Sequence, residues 1–412
     1  MNLKIDQQRL DDQIETLAKF SDAEAPAVTR VVFTPTERKA RAWVKDRCKE
    51  AGLTIRDDAI GNTFSRWEGT DPTGPVVGTG SHIDAIPNAG KYDGVVGVLG
   101  GLEAICALQQ SGFRPKHSIE LLIFTSEEPT RFGIGCLGSR LLSGALSLEA
   151  ANRLTDNDGA TIDQVRQSAS LTGELDDVKL PSSYYKAFVE LHIEQGPILE
   201  REGKPLGIVE RIAAPASLSL TIEGTGGHAG GVLMPDRRDA LCAAAELILA
   251  LETAAKTSGA IDTVATVGIC DVFPGAVNSI PSRVRLTADI RDTDLERRDQ
   301  AIHALDQACE AISDRRKVDI HKELRNADAP AESGPAIVKA LTVACQKHNL
   351  PYLRMTSRAY HDSLFMSRIA PAAMLFIPCK NGYSHRPDEY SSPEDIARGA
   401  LVLAETLAAL AE

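Results

Sequence analysis

Histidine is scarce in this 412-residue sequence, and several of the nine histidines lie near carboxylates where apolar runs end. The segment GTGSHIDAIPNAGKYDG contains His82, Asp84 and Asp93. Imidazole and carboxylate groups are common ligands of divalent metal ions. In a His-x-Asp arrangement, Asp84 can accept a hydrogen bond from the ring nitrogen of His82 that does not bind metal, which fixes the tautomer. By itself, the segment is equally compatible with a capped helix, a surface Asp and a hydrogen-bonded His.

Two adjacent carboxylates, Glu127 and Glu128, follow a second apolar run in the segment IELLIFTSEEPTRFG. One of them can bind a metal ion while the other acts as general base towards water and then as general acid. The alternative is the polar first turn of a helix, where the helix dipole favours Glu.

Two further apolar runs carry a histidine at or after their ends. FVELHIEQGPILE contains His192 and Gln195, and MLFIPCKNGYSHRPDEYSSPEDI contains His385. The carboxyl ends of parallel strands meet at one edge of a sheet, so the four runs are predicted to bring these groups together. One shared carboxylate can join two ligand sets into a binuclear centre, which polarises a carbonyl and lowers the pKa of a bridging water.

The elements that position these groups follow a βαβ rhythm. Short apolar runs predict strands at 75–80, 118–124 and 187–193, and helix-period patterns predict helices at 36–51 and 95–110. This alternation predicts an α/β fold with a largely parallel sheet and helices on both faces.

After residue 211 the pattern changes to a separate βαββαβ unit, which is the ferredoxin-like order. Its predicted elements are the strands 217–223, 263–270, 283–290 and 317–324 and the helices 235–253 and 294–312. We therefore predict a first domain made of residues 1–211 and 328–412, with an inserted α+β domain at 212–327.

Composition excludes several classes of protein. The formal net charge is −12, which argues against a nucleic-acid partner, and 43% hydrophobic with 25% charged residues is typical of a globular protein. No run approaches the roughly 20 apolar residues of a membrane span, and the first residues lack the pattern of a signal peptide. Eight dispersed cysteines without a CxxC pair favour a reducing compartment. We expect a cytoplasmic protein without a membrane contact.

Together these motifs resemble the binuclear metallohydrolases of the M20 peptidase clan, in its amidase branch, whose members act on N-carbamoyl amino acids, allantoate or ureidoglycolate. The resemblance covers nearly the whole chain and implies a zinc-peptidase-like catalytic domain, with the inserted domain as a lid that also forms a homodimer. It assigns one metal ion to His82, Asp93 and His192, the other to Asp93, Glu128 and His385, the general base to Glu127, and a supporting role to Asp84.

The resemblance points to manganese as the metal. Mixed nitrogen and oxygen ligands are also compatible with zinc, cobalt or nickel, while the lack of cysteine ligands favours a harder ion.

The same resemblance implies that Gln195 and three residues of the inserted domain contact the substrate. GTGGHAGGVLMPDRRDAL supplies His228, FPGAVNSIPS supplies Asn278 and LTADIRD supplies Arg291. Arginine offers a bidentate fork to a carboxylate, and asparagine offers a donor and an acceptor. Alternatively, Arg291 is a solvated residue at a strand end and His228 is a turn residue.

The segment SRAYHD at 357–362 is expected to distinguish among substrates. Allantoate and carbamoyl-amino-acid enzymes of this branch typically carry SGAGHD, and the departure counts against both of these substrates. The fuller stretch from 357 to 396 most resembles the members of the branch that act on ureidoglycolate, a small anionic ureido substrate. This resemblance implies that Tyr360 and His361 lie near its hydroxyl and carboxylate. As an alternative, His361 and Asp362 cap a helix. The implied reaction converts (S)-ureidoglycolate to glyoxylate, ammonia and carbon dioxide in purine nitrogen recovery. An N-carbamoyl- or N-acyl-amino-acid hydrolase, an allantoate amidohydrolase and a non-catalytic scaffold are the alternatives.

Overall fold

The structure is a computed structural model that describes residues 3–412. Contacts divide the chain into two compact units. The first comprises the chain up to Glu210, Glu332–Ser357 and His361–Glu412, and the second comprises Arg211–Ala331 and Arg358–Tyr360. The second unit therefore includes Tyr360, which the predicted segmentation assigns to the other domain.

The secondary structure alternates as follows along the chain. The helices are α1 (Gln7–Ala18), α2 (Pro35–Glu50), α3 (Val95–Gln110), α4 (Leu137–Ser143), α5 (Leu148–Asn152), α6 (Ile162–Ser168), α7 (Ile198–Arg201), α8 (Ala240–Lys256), α9 (Leu295–Arg316), α10 (Pro335–Lys347), α11 (Asp362–Met366) and α12 (Pro393–Ala411). The strands are β1 (Val28–Arg30), β2 (Thr54–Asp57), β3 (Thr63–Trp67), β4 (Val76–His82), β5 (Ala85–Ala89), β6 (Ile119–Phe124), β7 (Tyr185–Ile193), β8 (Leu206–Ile212), β9 (Ala214–Glu223), β10 (Gly227–His228), β11 (Val264–Phe273), β12 (Ser279–Ile280), β13 (Arg283–Asp292), β14 (Asp319–Ala327), β15 (Ala331–Glu332), β16 (Tyr352–Ser357) and β17 (Ala372–Ile377).

The largest sheet has nine strands in the order β15-β8-β17-β7-β4-β6-β3-β2, with β16 beside β8. Strands β17, β7, β4 and β6 are parallel neighbours, and all of their residues except Lys186 in β7 are buried. Strand β8 runs antiparallel to β17, β3 runs antiparallel to β6, and β2 runs antiparallel to β3. The sheet is therefore mixed, and the predicted parallel arrangement is found in its four central strands.

Helix α3 packs closely on the central strands because it presents glycine to them. A Cβ atom on Gly97 would lie 2.4 Å from the carbonyl oxygen of Leu191 in β7. The helix begins directly after Asp93 and Gly94, so this packing also fixes the depth of the Asp93 side chain beside the strand ends.

The second unit contains a four-stranded antiparallel sheet in the order β11-β13-β9-β14. Helices α8 and α9 complete the predicted βαββαβ order, and one hydrophobic cluster joins the helices to the sheet. Within residues 3–412, no helix has the length and apolar character that crossing a membrane requires.

Candidate metal centre

The register of the parallel strands brings the predicted residues to one edge of the sheet. His82, the last residue of β4, lies opposite Phe124, the last residue of β6. His192 in β7 lies opposite Phe376 in β17. The loops that follow these strands therefore leave the sheet side by side, which is where parallel sheets hold ligands.

The first group of potential ligands consists of His82, Asp93 and His192, which are all buried. The Oδ1 atom of Asp93 lies 3.5 Å from Nε2 of His82 and 3.2 Å from Nε2 of His192. The ligand atoms lie within 4.8 Å of one another, so that a single ion can contact all three.

The second group consists of Asp93, Glu128 and His385. The Nε2 atom of His385 lies 3.4 Å from Oδ2 of Asp93 and 3.1 Å from Oε1 of Glu128. The side chain of His385 is 44% exposed, whereas both carboxylates are buried. The structure thus brings the five predicted ligands into two groups that share Asp93.

The hydrogen bonds of the two buried imidazoles fit a metal site. Nδ1 of His82 lies 3.0 Å from the carbonyl oxygen of Asp84, and Nδ1 of His192 lies 2.9 Å from that of Ile193. Since a carbonyl only accepts, each Nδ1 carries the ring hydrogen of the neutral tautomer. The amide of Gly94 donates to Nε2 of His192 at 3.2 Å, in agreement with this tautomer. The lone pairs on Nε2 then face a carboxylate, and a cation between the two acceptors stabilises the arrangement.

The charges of the centre shift its pKa values strongly. Hydrogen bonds to Asp93 and Glu128 raise the pKa of His385 to about 11. Burial alone would lower the pKa of His82, but the nearby carboxylates of Glu127 and Asp93 raise it well above its usual value. Burial opposes ionisation of Asp93, yet the three imidazoles, which donate to this carboxyl when Nε2 also carries a proton, hold its pKa well below its usual value. The three imidazoles therefore favour a bound cation, either a proton or a metal ion.

Glu127, the predicted general base, is buried beside the first ligand group. Its Oε2 atom lies 3.8 Å from Nε2 of His82. Its Oε1 atom accepts a hydrogen bond from the thiol of Cys136, with sulfur and oxygen 3.4 Å apart. Burial and the nearby charges of Glu128 and Asp362 raise the pKa of Glu127 well above its usual value. A carboxylate with a raised pKa is a stronger base, which suits proton transfer near neutral pH.

Asp84 supports the site differently from the prediction. The ring of His82 donates to the main-chain carbonyl of Asp84, while the carboxylate of Asp84 is 3.7 Å from that ring nitrogen. The carboxylate instead accepts from the backbone amides of Glu127, at 3.3 Å, and Glu128, at 3.0 Å. The prediction that the carboxylate fixes the tautomer is wrong in this detail, because the backbone turns its own carbonyl towards the ring.

Gln195 and His361 both lie against the ligands in the first unit. The amide nitrogen of Gln195 donates to Oδ2 of Asp93 at 2.6 Å. The ring of His361 is buried, with its centroid 4.4 Å from that of His192. His361 also forms a third group of potential ligands with His192 and Glu190. Glu190 is already bound by the hydroxyls of Ser81 and Ser363, so it orders the side of the centre.

Backbone conformation marks the site as well. Ser126, Cys136, Gln195 and His385 have positive φ angles of 55° to 60°, which non-glycine residues rarely adopt. Gly94 has φ 67°, and a Cβ atom there would lie 2.5 Å from the imidazole of His82. Such conformations are retained where a site requires them.

The remaining predicted substrate residues lie in the second unit and form two pairs. The amide of Ala229, next to His228, donates to the carbonyl oxygen of Asn278 at 2.8 Å, so those two residues are neighbours. The guanidinium of Arg291 lies 5.3 Å from the ring centroid of Tyr360. Arg291 also donates to the carboxylate of Asp289.

Sequence reasoning missed Glu389 and Ser384. The carboxylate of Glu389 accepts from the backbone amides of Tyr92 and Asp93. The hydroxyl of Ser384 lies within hydrogen-bond distance of Asp93 and Glu389. The segment SHRPDEYSS has the composition of a solvated loop, and it gives no sign that one of its acids is buried.

Comparison with known proteins places this geometry in a family. The family model of Peptidase family M20/M25/M40 matches residues 78–409, most of the chain. The chain belongs to this family. Ureidoglycolate hydrolase of Arabidopsis thaliana is 53% identical over 416 residues, which cover 99% of this chain and 87% of that relative. N-carbamoyl-L-amino acid amidohydrolase of Geobacillus stearothermophilus is 38% identical, with 98% of each chain covered.

Two solved structures share the fold of this chain. A crystal structure of AtUAH in complex with (S)-hydroxyglycine is 52% identical, with a TM-score of 0.93 and coverage of 99% of this chain and 98% of that one. An amidase of the hydantoinase/carbamoylase family from Burkholderia vietnamiensis is 34% identical, with a TM-score of 0.91 and the same coverage. Family membership and the clustered imidazoles and carboxylates both agree with the predicted fold and with a metal-dependent hydrolase.

Proposed function

We propose that this M20-family protein hydrolyses (S)-ureidoglycolate at a centre of two divalent metal ions. The observation that carries the proposal is the identity of 53% with a ureidoglycolate hydrolase along nearly the whole chain, against 38% with an N-carbamoyl-L-amino acid amidohydrolase. Crystal structures of AtUAH hold (S)-hydroxyglycine and glyoxylate, which are successive products of this reaction. The two ligand groups supply the donors that the reaction needs.

Manganese is the proposed metal, with zinc, cobalt and nickel as alternatives. His82, Asp93 and His192 would hold one ion, and Asp93, Glu128 and His385 the other. Their nitrogen and oxygen donors, with no thiolate among them, suit a harder ion. When bound, the two ions would polarise the terminal urea carbonyl and lower the pKa of the attacking water.

Glu127 is proposed as the proton carrier. Its carboxylate lies at the edge of the first ligand group, where it can accept a proton from the attacking water. It then donates this proton to the leaving nitrogen, so that the bond from the carbonyl carbon to the amino group breaks and ammonia departs. Cys136 and the anchored backbone hold the carboxylate in this position.

One water molecule balances the whole reaction. Loss of ammonia leaves a carbamate, which releases carbon dioxide to give hydroxyglycine. Hydroxyglycine then loses a second ammonia to give glyoxylate. These later steps require no further group from the protein, and the overall reaction would return purine nitrogen as ammonia.

The substrate contacts are proposed for six residues of the two units. Gln195 and His361 lie beside the ligands in the first unit, and the second unit supplies His228, Asn278, Arg291 and Tyr360. We further propose that the second unit is the lid and dimerisation domain of a homodimer. The eight cysteines are all free thiols, which supports a cytoplasmic location.

The test is ammonia release by metal-free protein reconstituted with manganese. (S)-Ureidoglycolate, allantoate and a series of N-carbamoyl-L-amino acids are compared at equal concentration. We expect the highest kcat/KM for ureidoglycolate. A higher value for a carbamoyl amino acid would retain the metal centre but reject the substrate, and no activity with any of them would reject the hydrolase.

A further inference from the structure

Glu389 connects two loops that are distant in the sequence. It is 4% exposed, and its Oε1 atom accepts from the backbone amides of Tyr92, at 2.8 Å, and Asp93, at 3.1 Å. Its Oε2 atom accepts from the hydroxyl of Ser384 at 3.1 Å. One carboxylate thereby ties the loop before α3 to the loop that carries His385.

The two loops joined by Glu389 supply two of the three members of the second ligand group. The backbone amide of Asp93 itself donates to Glu389, and His385 directly follows Ser384, which contacts the other oxygen of Glu389. The Nε2 atom of His385 lies 3.4 Å from Oδ2 of Asp93. His385 is the most exposed of the five proposed ligands and has a positive φ of 60°. Burial therefore does little to hold it, and its position depends on neighbours such as Ser384.

The backbone leaves space for this carboxylate. A Cβ atom on Gly90 would lie 2.4 Å from Cβ, Cδ and Oε1 of Glu389. A side chain at position 90 would thus displace Glu389 from the two amides. The loop before α3 can meet the carboxylate only because residue 90 has no side chain.

The placement is costly unless a cation lies nearby. Glu389 and Asp93 are two buried carboxylates that both contact the hydroxyl of Ser384. Ser384 has one hydrogen and can donate it to only one of them at a time. Two buried carboxylates that share one hydroxyl repel each other, and a positive charge in the second ligand group offsets this repulsion.

We propose that Glu389 is a positioning residue that sets the spacing between Asp93 and His385 and thereby the affinity of the second ligand group for its metal ion. The inference rests on the proposed two-metal function. The role proposed for Glu389 is to position the metal ligands, not to contact the substrate.

The test measures manganese binding to metal-free protein by titration calorimetry, without any activity assay. We expect wild-type protein to bind two ions, and Glu389→Ala to weaken one of them by about 10- to 100-fold while the other is unchanged. Glu389→Gln keeps an acceptor for the two amides, so its affinity for this ion should lie between those of wild type and Glu389→Ala. Ser384→Ala should weaken binding of the same ion. The control is Glu405→Gln in α12, which removes a carboxylate that contacts Lys347 and His348 at the end of α10 in the same unit.

A second background identifies the affected ion. In His385→Ala protein, where the other ion remains, adding Glu389→Ala should leave the remaining affinity unchanged. A fall in that background would overturn the assignment to the second group. Unchanged binding of both ions in Glu389→Ala would overturn the inference. If that variant does not fold, unchanged binding of both ions in Glu389→Gln and in Ser384→Ala would overturn it instead. Wild-type protein that binds fewer than two ions would instead reject the two-metal function itself.

Discussion

The candidate metal centre and the proposed substrate residues of the second unit differ in how firmly their side chains are held. At the centre, the rings of His82 and His192 are buried and fixed by backbone carbonyls. In the second unit, His228 and Asn278 are exposed, and the side chain of Arg291 is 26% exposed. The proposed reactive groups are thus preorganised within one compact unit, whereas the exposed side chains of His228 and Asn278 retain rotational freedom that substrate binding must remove. Substitutions at the centre should therefore change kcat, and substitutions in the second unit should change KM.

The largest effect is expected for Glu127→Gln. The amide keeps the shape of the side chain but cannot accept the proton of water, so kcat should fall by about 10²- to 10⁴-fold. Manganese affinity, measured by calorimetry, should change little because Glu127 is not a proposed ligand. Full activity in this variant would reject the proton-transfer role.

Metal binding should become weaker as pH falls. His385, with a pKa of about 11, carries a proton at neutral pH in the metal-free protein, and a metal ion must displace it. For each proton that the metal displaces, the metal affinity should fall about tenfold per unit decrease in pH, as long as the pH is below the pKa of that ligand. Calorimetry in two buffers of different ionisation enthalpy counts the protons, and His385→Ala should release fewer. Equal counts would contradict the assignment of His385.

Arg291→Lys tests the other side of the comparison. Lysine keeps the charge but not the planar fork, so KM for ureidoglycolate should rise by about tenfold, with kcat nearly unchanged. Arg285→Lys, on the same face of β13, is the matched control and should leave KM unchanged. A fall in kcat at constant KM would show that the second unit also orders the reacting groups.

Tyr360→Phe should have a smaller effect that depends on the substrate. The ring can still stack on Arg291, but the hydroxyl is lost, and kcat/KM for ureidoglycolate should fall by about fivefold. An N-carbamoyl amino acid has no hydroxyl at that carbon, so its slower hydrolysis should be unaffected. Equal kcat/KM for ureidoglycolate in both proteins would remove Tyr360 as a specificity residue.

Cys136→Ala is expected to give the smallest effect. The thiol is a weak donor to Glu127, and losing it should lower kcat by about threefold without changing KM, in line with a hydrogen bond near the low end of the usual range. Cys345→Ala removes a buried thiol in α10 and serves as the control. An unchanged kcat in Cys136→Ala would show that backbone anchoring alone positions Glu127.

The sequence predicts those site residues whose positions are determined by the ends of strands. His82 and Glu128 follow apolar runs, and parallel pairing then brings them to one edge. The role of Asp84 was wrong in detail, because spacing does not show whether a carboxylate or a carbonyl faces a ring. Glu389 was missed because only the folded chain reveals its contact with Asp93, which is distant in sequence. Similarly, the antiparallel edges of the sheet depend on partners that periodicity does not specify.

The position of β17 in the sheet has a consequence for biosynthesis. This strand comes late in the chain, yet it lies between β7 and β8 in the interior of the sheet. A nascent chain that ends before Ala372 leaves two strand edges without a partner, which is a hazard for aggregation. His385 follows later still, so the second group of potential ligands can form only after β17 has been synthesised. Under the proposed two-metal function, loading of the ion at the second ligand group would follow synthesis of the strand that fills the interior of the sheet.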